Sequence, residues 1–421
     1  MKILIINQPV NNRGDESAHK ALVRSLSREF PQHSIEVAII MEQKDSVRQF
    51  MVKEKNVSYW TYLSDFKNPN FFQKCYRAVV VHRLFNQFLI YAMSHQKVNW
   101  LRLNPITRRI WKKINEADIV VNAPGGICMG GFQNWRHIAY LEMARRSGKD
   151  IYYYGRSFGP FPEETEANRV FKEFSIRLLR SFKFLAIRDK KSEQLADSLG
   201  LSYQTTVDTA FLETPRAEIP HDVAQAIGNN YMVFVPNALR WHFAYRSVPQ
   251  ERIDNLFNGI LEKISQVDVT MKIVMLPQTF NYRTRLMNDI NFFRDLRMSS
   301  PYHDRIIVVD DKYSSDIQQT IIAGSRFLVG ARYHSAVFAI NNSVPFIALS
   351  YEHKIEGMLS SLGDSESMMD ISDLSAPDRV ETILEAFSQR LRSLSFHDQT
   401  TLKAKSVANE CFLQLKKCIH G

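Results

Sequence analysis

The chain has 421 residues, 45% of them hydrophobic and 23% charged, which is too long for one ordinary domain and enough for two cores. Lysine and arginine outnumber aspartate and glutamate by 54 to 44, a formal net charge of +10; this excludes an acidic solvating protein and favours anionic partners. The four scattered cysteines, Cys75, Cys128, Cys411 and Cys418, exclude a disulfide scaffold and a cysteine-rich zinc site and fit a reducing compartment.

The chain opens on a short apolar run that stops at Asn7. It is too short for a signal peptide and predicts a buried first strand, Lys2–Asn7, of a parallel sheet. No apolar run approaches the roughly eighteen residues of a bilayer-crossing helix, so a cytoplasmic protein is expected. Asn12-Arg13-Gly14-Asp15-Glu16 then leads into an amphipathic stretch, Glu16–Glu29. Asp15 either caps that helix or serves as an acid/base group.

A second strand is expected at Ile35–Ile39, after which the pattern breaks. From Phe66 to Asn115 there is no Asp or Glu, while ten Lys and Arg supply as much charge as the whole formal excess, interleaved with aromatic residues such as Phe71, Phe72, Tyr91 and Trp100. Three readings stay open for this insert: a helical cover over the sheet with a solvated cationic face, a peripheral contact with anionic membrane, or a nucleic-acid surface. No nucleic-acid module accompanies it, so nucleic acid is not an expected partner.

Beyond the insert, strands at Asp118–Asn122, Ile151–Tyr154, Phe184–Ile187 and Gln204–Val207 alternate with helical stretches at Asn134–Arg146 and Glu164–Ser181. After a polar, proline-containing stretch the rhythm restarts. Strands are expected at Tyr231–Val235, Lys272–Leu276, Arg305–Val309, Phe327–Val329 and Phe346–Leu349, with helices at Gln250–Ser265 and Arg283–Arg297. Repeated strand–helix alternation predicts an α/β protein of two Rossmann-like, doubly wound domains facing a cleft. The expected boundaries are 1–215, with the helical insert at about 66–115, then 216–395, and a C-terminal helix at 396–421 that packs back on the first domain.

Ligands of such sheets bind beyond the carboxyl ends of the strands. The strongest constellation there is Gly330-Ala331-Arg332-Tyr333-His334-Ser335, a strand, a tight turn and a helix start. Free backbone N–H groups, the helix dipole and the planar guanidinium of Arg332 make an anion site. Paired glycines, Gly125 and Gly126, follow another strand and allow close backbone approach or a sharp turn. Gly155-x-Ser157-x-Gly159 has the spacing of a hydrolase nucleophile elbow, but Pro160 forbids the required helix entry. His and Cys never cluster at metal-ligand spacing, so no metal and no cofactor is expected.

Taken in order, these segments resemble the polysaccharide pyruvyl transferase family. The resemblance runs through Asn12-x-Gly14-Asp15, Pro124-Gly125-Gly126, Gly155-x-Ser157-x-Gly159-Pro160-Phe161 and Arg188-Asp189-x-x-Ser192. It continues through Asp208-x-Ala210-Phe211, Arg332-Tyr333-His334-Ser335, Val344-Pro345 and Tyr351-x-x-Lys354. The sequence departs from the family pattern at Pro124, in place of the first of three glycines, and at Thr209, where proline is frequent.

The resemblance implies a GT-B-like pair of domains and transfer of pyruvate from phosphoenolpyruvate to sugar hydroxyls as a ketal. The sugar belongs to a cell-surface polysaccharide or its lipid-linked precursor, and the reaction runs in the cytoplasm or at the inner membrane face. It further implies donor binding by Arg188, Arg332 and His334. His334 is the expected catalytic proton donor and Asp15 the acceptor from the attacking hydroxyl. Substrate contacts are also expected from Ser335, Gly125, Gly126, Ser157 and Asn12, and Lys354 either binds phosphate or is simply solvated. Two alternatives remain: a GT-B-type glycosyltransferase using a nucleotide-sugar, and a non-catalytic glycan-binding relative.

Overall fold

The computed structural model describes residues 1–9, 12–39, 50–61, 70–76, 79, 83–280, 288–310, 312–395 and 398–420. It divides into two compact units. The first holds Met1–Val10, Ala18–Thr209 and Val407–Gly421; the second holds Asn11–Ser17 and Ala210–Ser406.

The first unit is built on a seven-stranded sheet in the order β3-β2-β1-β4-β5-β6-β7. Its strands are β1 (Lys2–Gln8), β2 (Ser34–Ile39), β3 (Val57–Thr61), β4 (Ile119–Asn122), β5 (Asp150–Tyr153), β6 (Phe184–Ile187) and β7 (Gln204–Thr205). Every pair runs parallel. The apolar residues of β1 and β4 are buried on both faces, as a sheet covered by helices on each side demands. The direction of winding reverses between β1 and β4, so their carboxyl ends flank the crevice where such sheets take ligands.

The insert contributes to this core. Phe85, Leu89, Ala92 and Met93 of the helix Phe85–Ser94, and Ile110, Trp111 and Ile114 of the helix Pro105–Glu116, join the same buried cluster as Leu4 and Val120. Within the insert, residues 66–69, 77–78 and 80–82 lie outside the described residues. The last turns of the helix Asp398–His420 also belong to this unit: the Tyr152 hydroxyl donates to the Cys418 carbonyl at 3.2 Å, and the His420 ring lies 4.9 Å from Phe30.

The second unit has a six-stranded parallel sheet in the order β10-β9-β8-β11-β12-β13. Its strands are β8 (Tyr231–Val235), β9 (Lys272–Met275), β10 (Ile306–Val308), β11 (Leu328–Gly330), β12 (Phe346–Ser350) and β13 (Met368–Asp370). Here winding reverses between β8 and β11, and Arg332 follows β11 directly. The strands β3 and β13 are not anticipated by the sequence, because both are short edge strands without a continuous apolar run. The helix expected at Arg283–Arg297 is found at Asp289–Ser299, residues 283–287 lying outside the described residues.

Candidate active site

In the second unit, β11 ends at Gly330 and the helix Tyr333–Asn341 begins two residues later, with Arg332 as its N-cap. A side chain at Gly330 would stand 2.1 Å from Ser335 Oγ, so only glycine permits this turn. Ser335 is buried and its hydroxyl donates to the Arg332 carbonyl at 2.5 Å. Its side chain therefore closes the turn that presents Arg332.

The Arg332 guanidinium donates to Asp289 Oδ1. The other carboxylate oxygen of Asp289 accepts from the Gln278 amide at 3.0 Å, the Thr279 amide at 2.9 Å and the Thr279 hydroxyl at 2.8 Å. Asp289 is thus a buried, multiply bonded anchor that fixes one edge of the arginine fork. The guanidinium also lies 5.6 Å from the centre of the Trp241 ring, whose indole N–H donates to Asn237 at 2.8 Å.

The same Gln278-Thr279 turn carries the start of the helix Arg13–Glu29. Asn12 bridges Thr279, and the Arg13 amide donates to the Gln278 carbonyl at 2.8 Å. Asn12 Oδ1 accepts from the Asp15 amide at 2.7 Å while its Nδ2 donates to the Asp15 carboxylate. Asn12 is therefore the cap, and Asp15 closes a reciprocal box with it. One turn on, the buried Arg13–Glu16 pair is tied to Ser315, whose amide and hydroxyl donate to Glu16 at 2.9 and 3.1 Å.

Gly14 and His334 meet here. A β-carbon at Gly14 would stand 1.9 Å from His334 Nδ1, so the imidazole occupies the space a side chain would fill. The second unit accordingly gathers Asn12, Asp15, Arg332, His334 and Ser335 around one turn. The Lys354 side chain is half exposed and pairs with Glu352 at 3.5 Å.

In the first unit Arg188 follows β6. It pairs with the fully buried Asp208 at 2.5 Å, and its Nε donates to Ser157 Oγ at 3.5 Å. Asp189 caps the helix Lys190–Ser198 through the Ser192 amide, and the Ser192 hydroxyl donates to the Phe158 carbonyl at 2.8 Å. Gly125, at φ +148°, bridges Arg156. Arg156 is only 1% exposed and donates to the carbonyls of Ala123 (3.0 Å), Pro124 (3.1 Å) and Asn7 (3.4 Å) and to Cys128 Sγ (2.9 Å). This guanidinium ties the segment leading into Gly125-Gly126 to the end of β1, and a β-carbon at Gly126 would meet nothing within 4 Å. Among the described residues no group of three or more His, Cys, Asp or Glu is placed to hold a metal ion.

A family model for polysaccharide pyruvyl transferase matches residues 12–353, from the capping asparagine to the segment beyond β12. The chain belongs to the polysaccharide pyruvyl transferase family. A curated relative, the amylovoran biosynthesis protein AmsJ of Erwinia amylovora, is 22% identical over 390 residues, covering 89% of each chain. Among solved structures, the UDP-GlcNAc 2-epimerase of Methanocaldococcus jannaschii aligns with a TM-score of 0.54 at 11% identity, over 99% of this chain and 100% of that one. The spinosyn rhamnosyltransferase SpnG aligns with a TM-score of 0.54 at 12% identity over 100% of both. With these neighbours the chain shares a GT-B-like fold of two Rossmann-like domains. As a family member the chain is a pyruvyl transferase acting in polysaccharide biosynthesis.

Sequence reasoning singles out Arg332 and His334 but not their neighbour Asp289, which sits inside a stretch that reads as helix. It also missed the reason for Gly14, although a glycine in the first turn of a helix is itself a signal.

Proposed function

We propose that the protein transfers the pyruvyl group of phosphoenolpyruvate to two hydroxyls of a sugar, forming a cyclic ketal and releasing phosphate. The observation that carries this reading is the second unit's pairing of a fixed guanidinium, Arg332 on Asp289, with an imidazole seated on Gly14 one helical step away. A small acid bearing both a carboxylate and a phosphate matches a planar cation at a helix N-terminus. Arg188 of the first unit, held by Asp208 in the same manner, is assigned to substrate binding, and Lys354 to phosphate.

The reaction begins when His334 gives a proton to the terminal methylene, leaving positive charge on C2 shared with its oxygen. A sugar hydroxyl adds to C2 and its proton passes to Asp15, which Asn12 holds in place. Departure of phosphate, which takes the proton held by Asp15, restores the cation at C2, and the neighbouring hydroxyl adds to close the ketal as its proton returns to His334. One donor and one diol give one ketal and one phosphate, and the protons balance. Ser335 positions Arg332, while Gly125, Gly126 and Ser157 are assigned to the sugar. The acceptor is a polysaccharide unit or its lipid-linked precursor on the cytoplasmic side.

The test is phosphate release from phosphoenolpyruvate in the presence of a panel of free, nucleotide-linked and lipid-linked sugars. Release that requires both donor and an acceptor, with a mass gain of one pyruvyl ketal on that acceptor, is expected. An inert donor together with glycosyl transfer from a nucleotide-sugar would replace this reading with the glycosyltransferase one.

A further inference from the structure

The insert of the first unit has two faces of different chemistry. Its inner face is ordinary core: the helix Phe85–Ser94 buries Phe85, Leu89, Ala92 and Met93, and the helix Pro105–Glu116 buries Thr107, Ile110, Trp111 and Ile114. A helical cover over a sheet needs only this face and a polar one opposite it. Elsewhere on its exposed surface the insert carries rings and aliphatic groups as well as cations.

Seven of the fifteen large apolar side chains exposed among the described residues lie between 71 and 103. Phe71, Phe72 and Leu103 are 73%, 81% and 71% exposed. Tyr91 and Trp100 lie 6.1 Å apart, and Lys97 Nζ sits 4.3 Å from the Trp100 ring centre and 5.8 Å from that of Tyr91. The exposed side of the helix Pro105–Glu116 carries Arg108, Arg109 and Lys112. No Asp or Glu lies between Phe66 and Asn115; Lys112 pairs with Glu116 at the end of the same helix at 3.9 Å, while Arg108 and Arg109 have no acidic residue within the segment to offset them.

Rings and aliphatic groups left in water cost free energy unless something covers them, and the excess of cations around them selects what does. We propose that this outer face docks on an anionic phospholipid surface. Phe71, Phe72, Trp100 and Leu103 enter the headgroup layer, while Lys97, Arg108, Arg109 and Lys112 meet lipid phosphates. Aromatic rings beside cations suit the membrane interface, where one end of each group is apolar and the other wet. The exposed aliphatic side chains favour lipid over stacked bases. No helix among the described residues is long and apolar enough to cross a membrane, so the contact is peripheral.

The test uses the full chain in sedimentation with phosphatidylcholine vesicles, with and without phosphatidylglycerol, at low and high salt. Binding is expected only to the anionic vesicles, and it weakens with salt. At about fivefold per basic residue near the surface, replacing Arg108, Arg109 and Lys112 together by Ser lowers the partition coefficient about a hundredfold. Replacing Phe72 and Trp100 by Ser lowers it at high salt as well as low, and the blue shift of Trp100 emission on binding disappears with that residue. The control variant Lys53→Ser/Lys55→Ser binds like the parent. Thermal midpoints of all variants check folding. The proposal is overturned by equal binding to both vesicle types, by an equal loss in the control, or by anionic vesicles left unbound while single-stranded RNA is retained.

Discussion

At the residue scale the account turns on Gly14. Alanine is the better helix former by about 1 kcal/mol, so a glycine in the first turn of the helix Arg13–Glu29 calls for a reason. The reason is the His334 imidazole, which stands where a methyl group would be. Gly14→Ala is therefore expected to leave the protein folded while displacing the ring, and turnover should fall about a hundredfold, as it should for His334→Ala. Because both changes remove one proton donor, the double variant should be no slower than either single one. Steady-state phosphate release decides this, and multiplied losses would separate the two residues. Arg332 makes a second prediction. Arg332→Lys loses the planar fork, so the Michaelis constant for phosphoenolpyruvate should rise with little change in turnover. Asp289→Ala breaks a buried pair and strands three further donors; it should cost about 3 kcal/mol in urea unfolding.

At the element scale, two histidines in the first unit set an acid limit. His19, on the helix Arg13–Glu29, is pushed down to about 3 by burial, with Lys20 and Arg24 adding to the effect. His137, on the helix Trp135–Arg146, is held well below its usual value by burial and then by Arg156. Both are neutral in the folded chain, whereas in the unfolded chain they take up a proton as pH falls through about 6.5. Stability is thus full above that value and lost below it, at roughly 1 kcal/mol per histidine per pH unit. Thermal unfolding at pH 5.5 and 7.5 should show this loss, and His19→Gln should remove about half of it; a midpoint flat across that range would contradict the burial of both.

Elements also show how far the sequence could be read. Strands buried on both faces, such as Ile3–Ile6 within β1 and Tyr231–Val235, declare themselves as unbroken apolar runs. The short edge strands β3 and β13 do not, since neither carries an unbroken apolar run. The same limit governs the site. Arg332 and His334 are legible because strand, glycine and helix start are contiguous. Asp289 is not, because it reaches Arg332 from 43 residues away through a turn that no local pattern marks. Asp15 is legible only as one of two alternatives, cap or acid/base group; in the structure the Asp15 amide donates to Asn12 Oδ1.

At the scale of the whole molecule, the two units repeat one device. Each places an arginine just beyond a strand and holds it with a buried aspartate, Arg188 with Asp208 and Arg332 with Asp289. Buried carboxylates keep the guanidinium groups oriented without a ligand, so little ordering remains to be done when an anion arrives. The most direct measurement is thermal unfolding with added phosphoenolpyruvate, set against nucleotide-sugars at the same concentrations. A ligand at a hundred times its dissociation constant stabilises by about 2.7 kcal/mol. Phosphoenolpyruvate should raise the midpoint by several degrees in the parent protein and not in Arg332→Ala, and nucleotide-sugars should leave both unchanged; stabilisation by a nucleotide-sugar with none from phosphoenolpyruvate would contradict the assignment of the donor.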